Sequence, residues 1–224
     1  MPATSAPGPP PMRERYRAQV RHEVKEAALR QLAESGPAAV SVSAIGKQLG
    51  VSGPALYRYF ASRDELLTEL VIDAYHDLAD ALAASHAAGP GPGARLEGLA
   101  RAYRSWALAQ PHRYRLLFGP LLPGYDAHAR RLVDAAQRAM DQLLDIPRES
   151  GDGTLEPPAE PLASQLAAWA QPRVPGIDPA SALRAVLIWS RLHGIVSLEI
   201  AGNWASIGLD PGQLFEAQLA TLTT

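Results

Sequence analysis

The chain has 224 residues, 47% hydrophobic and 20% charged, enough for a packed core in one large domain or in a small head joined to a larger body. It has no cysteine, which excludes disulfides, thiolate metal sites and cysteine nucleophiles. The formal net charge of −2 argues against a polyanion partner only as an average over the whole chain.

The charge is unevenly placed. Nine basic residues (Arg13, Arg15, Arg17, Arg21, Lys25, Arg30, Lys47, Arg58 and Arg63) share one stretch with four acids (Glu14, Glu23, Glu26 and Glu34), a local charge of +5. The remainder is correspondingly acidic. A basic end on an acidic body reads either as a head that faces a polyanion or as a solvated charged helix.

In chain order, residues 1–11 (MPATSAPGPPP) hold five prolines and no large apolar side chain beyond the first methionine, and are expected to be a disordered tail. They contain no apolar run able to act as a secretion signal or to span a bilayer, so a cytoplasmic protein without membrane contact is expected. From Met12 the spacing of Tyr16, Val20, Val24, Ala27, Ala28 and Leu32 predicts a helix, stopped at Ser35-Gly36-Pro37. A short helix from about Ser41 to Leu49 is predicted to bury Val42, Ile45 and Leu49. Gly50 supplies the left-handed residue for a sharp reversal, and Ser52 N-caps a third helix running to Tyr59 or Phe60. Ser62-Arg63-Asp64-Glu65 is a capping box opening a long fourth helix, with Leu66, Leu67, Leu70, Val71, Ala74, Tyr75, Leu78 and Leu82 on one stripe.

Gly89-Pro90-Gly91-Pro92-Gly93 ends that helix, and further helices are predicted over about 94–110, 114–118 and 126–145. Pro147 to Pro161 is acidic and rich in proline and glycine, so a mobile loop is expected, followed by a short helix over about 162–170. Asp178-Pro179 and Asp210-Pro211 each pair an N-cap with a proline at the first helical position, opening the last two long helices. No alternating strand pattern occurs. The expected architecture is all-α: a three-helix head over residues 12–62 and a larger helical bundle over 63–224.

The segment from about 41 to 60 meets the requirements of a helix-turn-helix. Gly46 is the small residue where two helices nearly touch, Gly50 makes the turn, and Ile45, Leu49, Val51 and Leu56 lock the pair. The second helix of such a pair enters the DNA major groove by its N-terminal end. Leu56 and Phe60 should then face the core, leaving Gly53, Pro54, Tyr57 and Arg58 free to meet DNA. Pro54 can press on a thymine methyl, Arg58 can reach guanine or phosphate, and Tyr57 offers a hydroxyl to phosphate. Arg63, in the first turn of the fourth helix, is placed to join a phosphate there.

The stretch SVSAIGKQLGVSGPALYRYFASRDELL resembles the DNA-binding head of TetR-type repressors. The residues that carry the likeness are Ser41, Leu49-Gly50-Val51-Ser52, Leu56-Tyr57-Arg58-Tyr59-Phe60, Ser62-Arg63 and Leu66-Leu67. The resemblance implies that Ser43 and Gly53, Pro54 and Ala55 lie where bases are read, and that Tyr57, Tyr59 and Arg63 grip phosphates; Ser41 and Ser52 belong to the same DNA-facing set. Gly53 departs from the pattern, because relatives often carry a long base-reading side chain there. Arg58, Pro54 and DNA shape must then supply more of the specificity. Arg13, Arg15, Arg17 and Arg21 form either an arm toward phosphate or an adjacent minor groove, or a solvated helix start.

Further along, YRSWALAQPHRYRLLF and IWSRLHGIVSLEIAG resemble a C-terminal subclass of the same family marked by Trp189 and His193-Gly194. That likeness implies a ligand cavity in the body and a homodimer built from the last two long helices. The near all-round apolar character of the 178–202 helix supports the dimer independently, through a four-helix bundle across a two-fold axis. Leu187, Gly194, Leu198, Phe215, Leu219 and Leu222 are the expected interface. Tyr103, Trp106, Trp169, Trp189 and His193 either line a pocket for a small hydrophobic or aromatic effector or are plain core.

The function implied is a repressor released from a palindromic operator by that effector. The alternative is a ligand-independent regulator or activator whose body docks a protein partner. No G-x-S-x-G, no H-E-x-x-H and no phosphate-cradling glycine loop occurs, and the six histidines lack ligand spacing, so neither an enzyme nor a metal or cofactor site is expected.

Overall fold

The computed structural model describes residues 11–85, 91–119, 126, 129–150, 156 and 158–223. The expected disordered tail (apart from Pro11), the Gly89-Pro90 part of the breaker and residues 151–155 and 157 of the expected loop lie outside the described residues. Among those described, every regular element is helical: α1 (Met12–Ser35), α2 (Val42–Leu49), α3 (Gly53–Leu56), α4 (Arg63–Ala84), α5 (Pro92–Ala109), α6 (Pro111–Phe118), α7 (Arg130–Ser150), α8 (Leu162–Ala170), α9 (Pro179–Ile200), α10 (Asn203–Ser206) and α11 (Pro211–Thr223), plus a 3-10 turn at Pro37–Ala39. The chain divides into two compact units, with the division inside α4 between Val71 and Ile72.

In the first unit α1 packs on α2 and on the 3-10 turn. It buries Val20, Val24, Ala27, Ala28 and Leu32. Tyr16 was expected on the same stripe but is 67% exposed, because it precedes the turns of α1 that are covered. Gly36, at φ 75°, ends α1 where a side chain would be strained. The first two turns of α4 bury Leu66, Leu67, Leu70 and Val71.

In the second unit one core joins α4, α5, α6, α7, α9 and α11 through Leu78, Leu82, Leu99, Tyr103, Tyr114, Leu143, Leu192 and Phe215. A smaller core joins α7, α8 and α9 through Leu144, Leu166, Val174 and Ala182. Both Asp-Pro starts behave as caps. The Asp178 carboxylate accepts from the Ser181 amide at 2.9 Å, and that of Asp210 accepts from the Gln213 amide at 2.7 Å. α7 continues to Ser150, so the expected loop begins later than Pro147. A proline inside a helix removes one backbone bond without ending the helix outright.

Phe215, Leu219 and Leu222 correct an expectation. They are 1%, 4% and 7% exposed within the subunit, packed into its own core rather than presented on its surface. One apolar stripe on a helix says that something covers it, not whether the cover is in the same chain.

Candidate nucleic-acid interface and aromatic cluster

The reversal between α2 and α3 follows from its backbone. Ser41 caps α2, its hydroxyl accepting from the Ala44 amide at 3.3 Å, while its own amide donates to Gln31 Oε1 at 3.0 Å. Gly50 takes φ 66° and ψ 21°, its amide turning back to Lys47 O at 3.4 Å, and the Val51 amide reaches Gly46 O at 2.9 Å. Those two bonds are the Schellman pattern, which satisfies the last carbonyls of α2. A Cβ on residue 46 would stand 3.0 Å from Val51 O and 3.3 Å from Leu56 Cδ2. A side chain there would require Val51 O and Leu56 to give by a few tenths of an ångström.

α3 is one α-turn long. Beyond it, Arg58 N to Ala55 O at 3.2 Å and Tyr59 N to Leu56 O at 2.9 Å continue with three-residue spacing. Ser52 makes no side-chain cap, contrary to expectation. The amide two positions into the helix belongs to Pro54 and does not exist, and the Ala55 amide is taken by the Ser52 carbonyl at 2.9 Å. Ser62 does cap α4, accepting from the Glu65 amide at 3.0 Å, while the Glu65 carboxylate accepts from the amide of Ala61, one residue earlier than a capping box requires.

With Leu56 and Phe60 fully buried, the opposite face is outward. Ser43, Ser52, Pro54 and Arg58 are exposed, Tyr57 is 48% exposed, and Ser41, Gly53, Ala55 and Tyr59 are half-buried. The Cβ direction of Gly53 meets open space. Two expected contact residues are engaged inside the unit instead. The Arg63 guanidinium donates to Val40 O at 2.9 Å and to Pro37 O at 2.7 Å, tying α4 to the segment before α2. Arg21 donates to Tyr59 O, pairs with Glu69 at 3.1 Å and lies 4.4 Å over the Phe60 ring. Lys25 shares Glu69 at 3.1 Å. Arg13, Arg15 and Arg17 are exposed on the first turns of α1.

In the second unit the five expected pocket residues separate. Trp169 belongs to the smaller core, under the guanidinium of Arg173 at 5.1 Å. Trp106 is buried in the main core, its indole N–H donating to Asp77 at 2.9 Å on the carboxylate oxygen that Arg113 also reaches at 2.9 Å. Tyr103, Trp189 and His193 do meet, joined by Tyr114, Phe118 and Ser197, which sequence reasoning missed. Trp189, His193 and Ser197 stand at four-residue steps on α9, as do Tyr114 and Phe118 on α6; that spacing was the available signal.

The His193 ring lies between Trp189 and Tyr114, stacked on each at centroid distances of 5.6 and 5.9 Å. Its Nδ1 is 3.2 Å from the Tyr103 hydroxyl and 3.1 Å from that of Tyr114. Tyr114 has a second partner in Ser197 Oγ at 2.7 Å, so Tyr103 can donate to Nδ1 while Tyr114 bonds Ser197. Burial pushes the Tyr103 and Tyr114 hydroxyls up from the ordinary phenol value and holds His193 below the ordinary imidazole value. Tyr103, Tyr114, His193 and Ser197 are linked by hydrogen bonds, and the cluster is walled by partly accessible Phe118 and Trp189.

Comparison with known proteins agrees with this construction. Residues 25–70 match the family model described as bacterial regulatory proteins, tetR family, and residues 96–222 match a Tetracyclin repressor-like C-terminal domain. The chain is 35% identical over 215 residues to the HTH-type transcriptional regulators Rv1816 of Mycobacterium tuberculosis and Mb1846 of Mycobacterium bovis, covering 92% of this chain and 92% of theirs. It is 42% identical to the regulatory protein SCO4313, whose crystal structure superposes with a TM-score of 0.77 over 95% of this chain and 98% of that one. A turn built on Gly46 and Gly50, an all-helical second unit and likeness along nearly the whole length lead to one assignment: the chain is a transcriptional regulator of the TetR family.

Proposed function

We propose that this regulator is a homodimeric repressor that holds a palindromic operator through its two heads and releases it when the body binds a small hydrophobic or aromatic effector. One observation carries the reading: the turn at Gly50 buries Leu56 and Phe60 while leaving Ser43, Pro54, Tyr57 and Arg58 on a shared outward face. In the operator complex Ser43 and Gly53 to Ala55 approach base edges, Arg58 reaches guanine or phosphate, and Ser41, Ser52, Tyr57 and Tyr59 meet the backbone. Arg63 braces this surface from behind. Two heads about 34–36 Å apart read a palindrome, and a coupling of about 1–3 kcal/mol between effector and DNA changes operator affinity about 5–150-fold. The cluster around His193, with its partly accessible aromatic faces, is the effector site. A DNA target places this work in the cytoplasm.

The test is to select bound sequences from random DNA, then screen small molecules for release of the selected operator. A palindromic consensus, binding that weakens steeply with salt and release by an apolar or aromatic compound are expected. Failure to select any sequence removes the DNA reading. Selection without release by any compound favours a body that docks a protein partner.

A further inference from the structure

Beside the outward face of the head is a second feature, of which the repressor reading uses only Arg58 and Tyr59. Met12, Arg13, Tyr16 and Arg17 of α1 and Arg58 and Tyr59 of the segment after α3 line an open groove. Met12 is 77% and Tyr16 67% exposed, although they lie on the helix that buries Val20 and Val24 a turn or two later. The walls are stitched together from within. Arg17 donates to the Arg58 carbonyl at 3.4 Å and stands 6.0 Å from the centroid of the Tyr59 ring, and Arg21 bonds the Tyr59 carbonyl one turn deeper. Arg13 and Arg58 remain exposed at the rim.

We propose that this groove seats one sugar–phosphate strand of the duplex immediately outside the half-site read by α3. The inference rests on the reading that the head binds DNA. Three arginines around a trough, in a stretch that carries +5, match a chain of phosphates. The apolar faces of Tyr16 and Met12 match the deoxyribose between phosphates, and the Tyr16 hydroxyl is a phosphate donor. Arg58 belongs both to this groove and to the Pro54–Tyr57 face, so the duplex passes from one to the other without a gap. Among the described residues no Asn or Gln lines the groove, and contact there is with the backbone rather than with bases.

Two duplexes test this: the selected operator trimmed to its half-sites, and the same operator extended outward by about half a helical turn on each side. The full-length protein should bind the extended duplex about tenfold more tightly, whatever the flanking sequence. In the Arg13→Ala/Tyr16→Ala variant that ratio should fall to near one. Losing one phosphate contact per head should lower the slope of log affinity against log salt on the extended duplex by about 2. Both residues are exposed, so an unchanged melting temperature shows that the loss is one of contact. A variant that keeps the wild-type ratio overturns the inference, and so does a gain that depends on the flanking sequence. Wild-type protein that binds the trimmed operator tightly but gains nothing from extension overturns the groove alone. Wild-type protein that selects no operator overturns the repressor reading and the groove with it.

Discussion

The carbonyls of Pro37 and Val40 close the turn before α2, and both are met by the guanidinium of Arg63. Removing that donor leaves the Val40 carbonyl without its side-chain partner, at a cost of about 1 kcal/mol, and leaves the Pro37 carbonyl with only the Val40 amide at 3.4 Å. Arg63→Ala is therefore expected to lower the melting temperature of the protein, whereas Tyr57→Ala, at a half-exposed position outside the core, should leave melting unchanged and weaken the gel shift of the selected operator. If Arg63→Ala melts like the wild type, the brace is not a brace. A basic residue just after a helix-turn-helix satisfies the pattern for gripping phosphate and for bracing the turn equally well. What separates them is which backbone carbonyls come within reach of the guanidinium, and that is known only once the chain is folded. His193 carries a second expectation at this scale. Burial holds it below its ordinary value, so the unfolded chain takes up its proton at a higher pH than the folded chain. Stability is full above the ordinary histidine range, about 6.5, and falls as the pH drops from there toward the lowered folded value. In His193→Gln the urea midpoint should be lower at neutral pH and change less between about pH 7 and pH 5 than in the wild type.

The start of α9 shows how an element is fixed by its first residues. Asp178 accepts from both the amide and the hydroxyl of Ser181, and Pro179 follows at the position where no amide is needed. Asp178→Ala should cost about 1 kcal/mol, read as a lower urea midpoint. The Ser181 hydroxyl and amide bonds also hold the Asp178 carboxyl below the ordinary carboxylate range. Its stabilisation is accordingly complete above that range, and is lost as the pH falls through the lowered folded value. Asp178→Asn should flatten that acid limb; an acid limb unchanged in Asp178→Asn would detach the cap from it. Signals of this local kind made most helices legible, since a cap, a proline and an apolar stripe report directly on one helix start. Where the outcome depended on non-local partners the sequence was silent. α7 runs through Pro147, α3 stops after one turn, and α10 forms between Gly202 and Ile207 with the Trp204 indole donating to Ile195 O at 3.0 Å.

At the scale of the whole molecule the open quantity is the face that α9 and α11 turn outward. Their inward stripes are already satisfied: Phe215, Leu219 and Leu222 close the core, with Arg104 bonded to Glu199 at 2.8 and 2.6 Å and lying 5.0 Å over the Phe215 ring. The outward face keeps Leu187 and Leu198 at 40% and 38% exposure, and Ile195, Leu198, Trp204, Leu214 and Ala217 line a shallow groove there. A homodimer across a two-fold axis would cover that surface and double the number of heads on one operator. Leu198→Asp/Ala217→Asp places two carboxylates of each copy into such an interface, where desolvation and like-charge repulsion oppose association. Sedimentation should then show a monomer that retains its helical circular dichroism. Its operator affinity should fall by roughly 10²–10⁴, the advantage that linking two binding modules confers. Phe215→Ala should behave in the opposite sense: a cavity costing about 3–5 kcal/mol lowers the melting temperature, while the outward face is untouched and the folded fraction stays dimeric. Should the double aspartate variant remain a dimer with full affinity, association would have to use another surface, and the outward face of α9 and α11 would be free for a different partner.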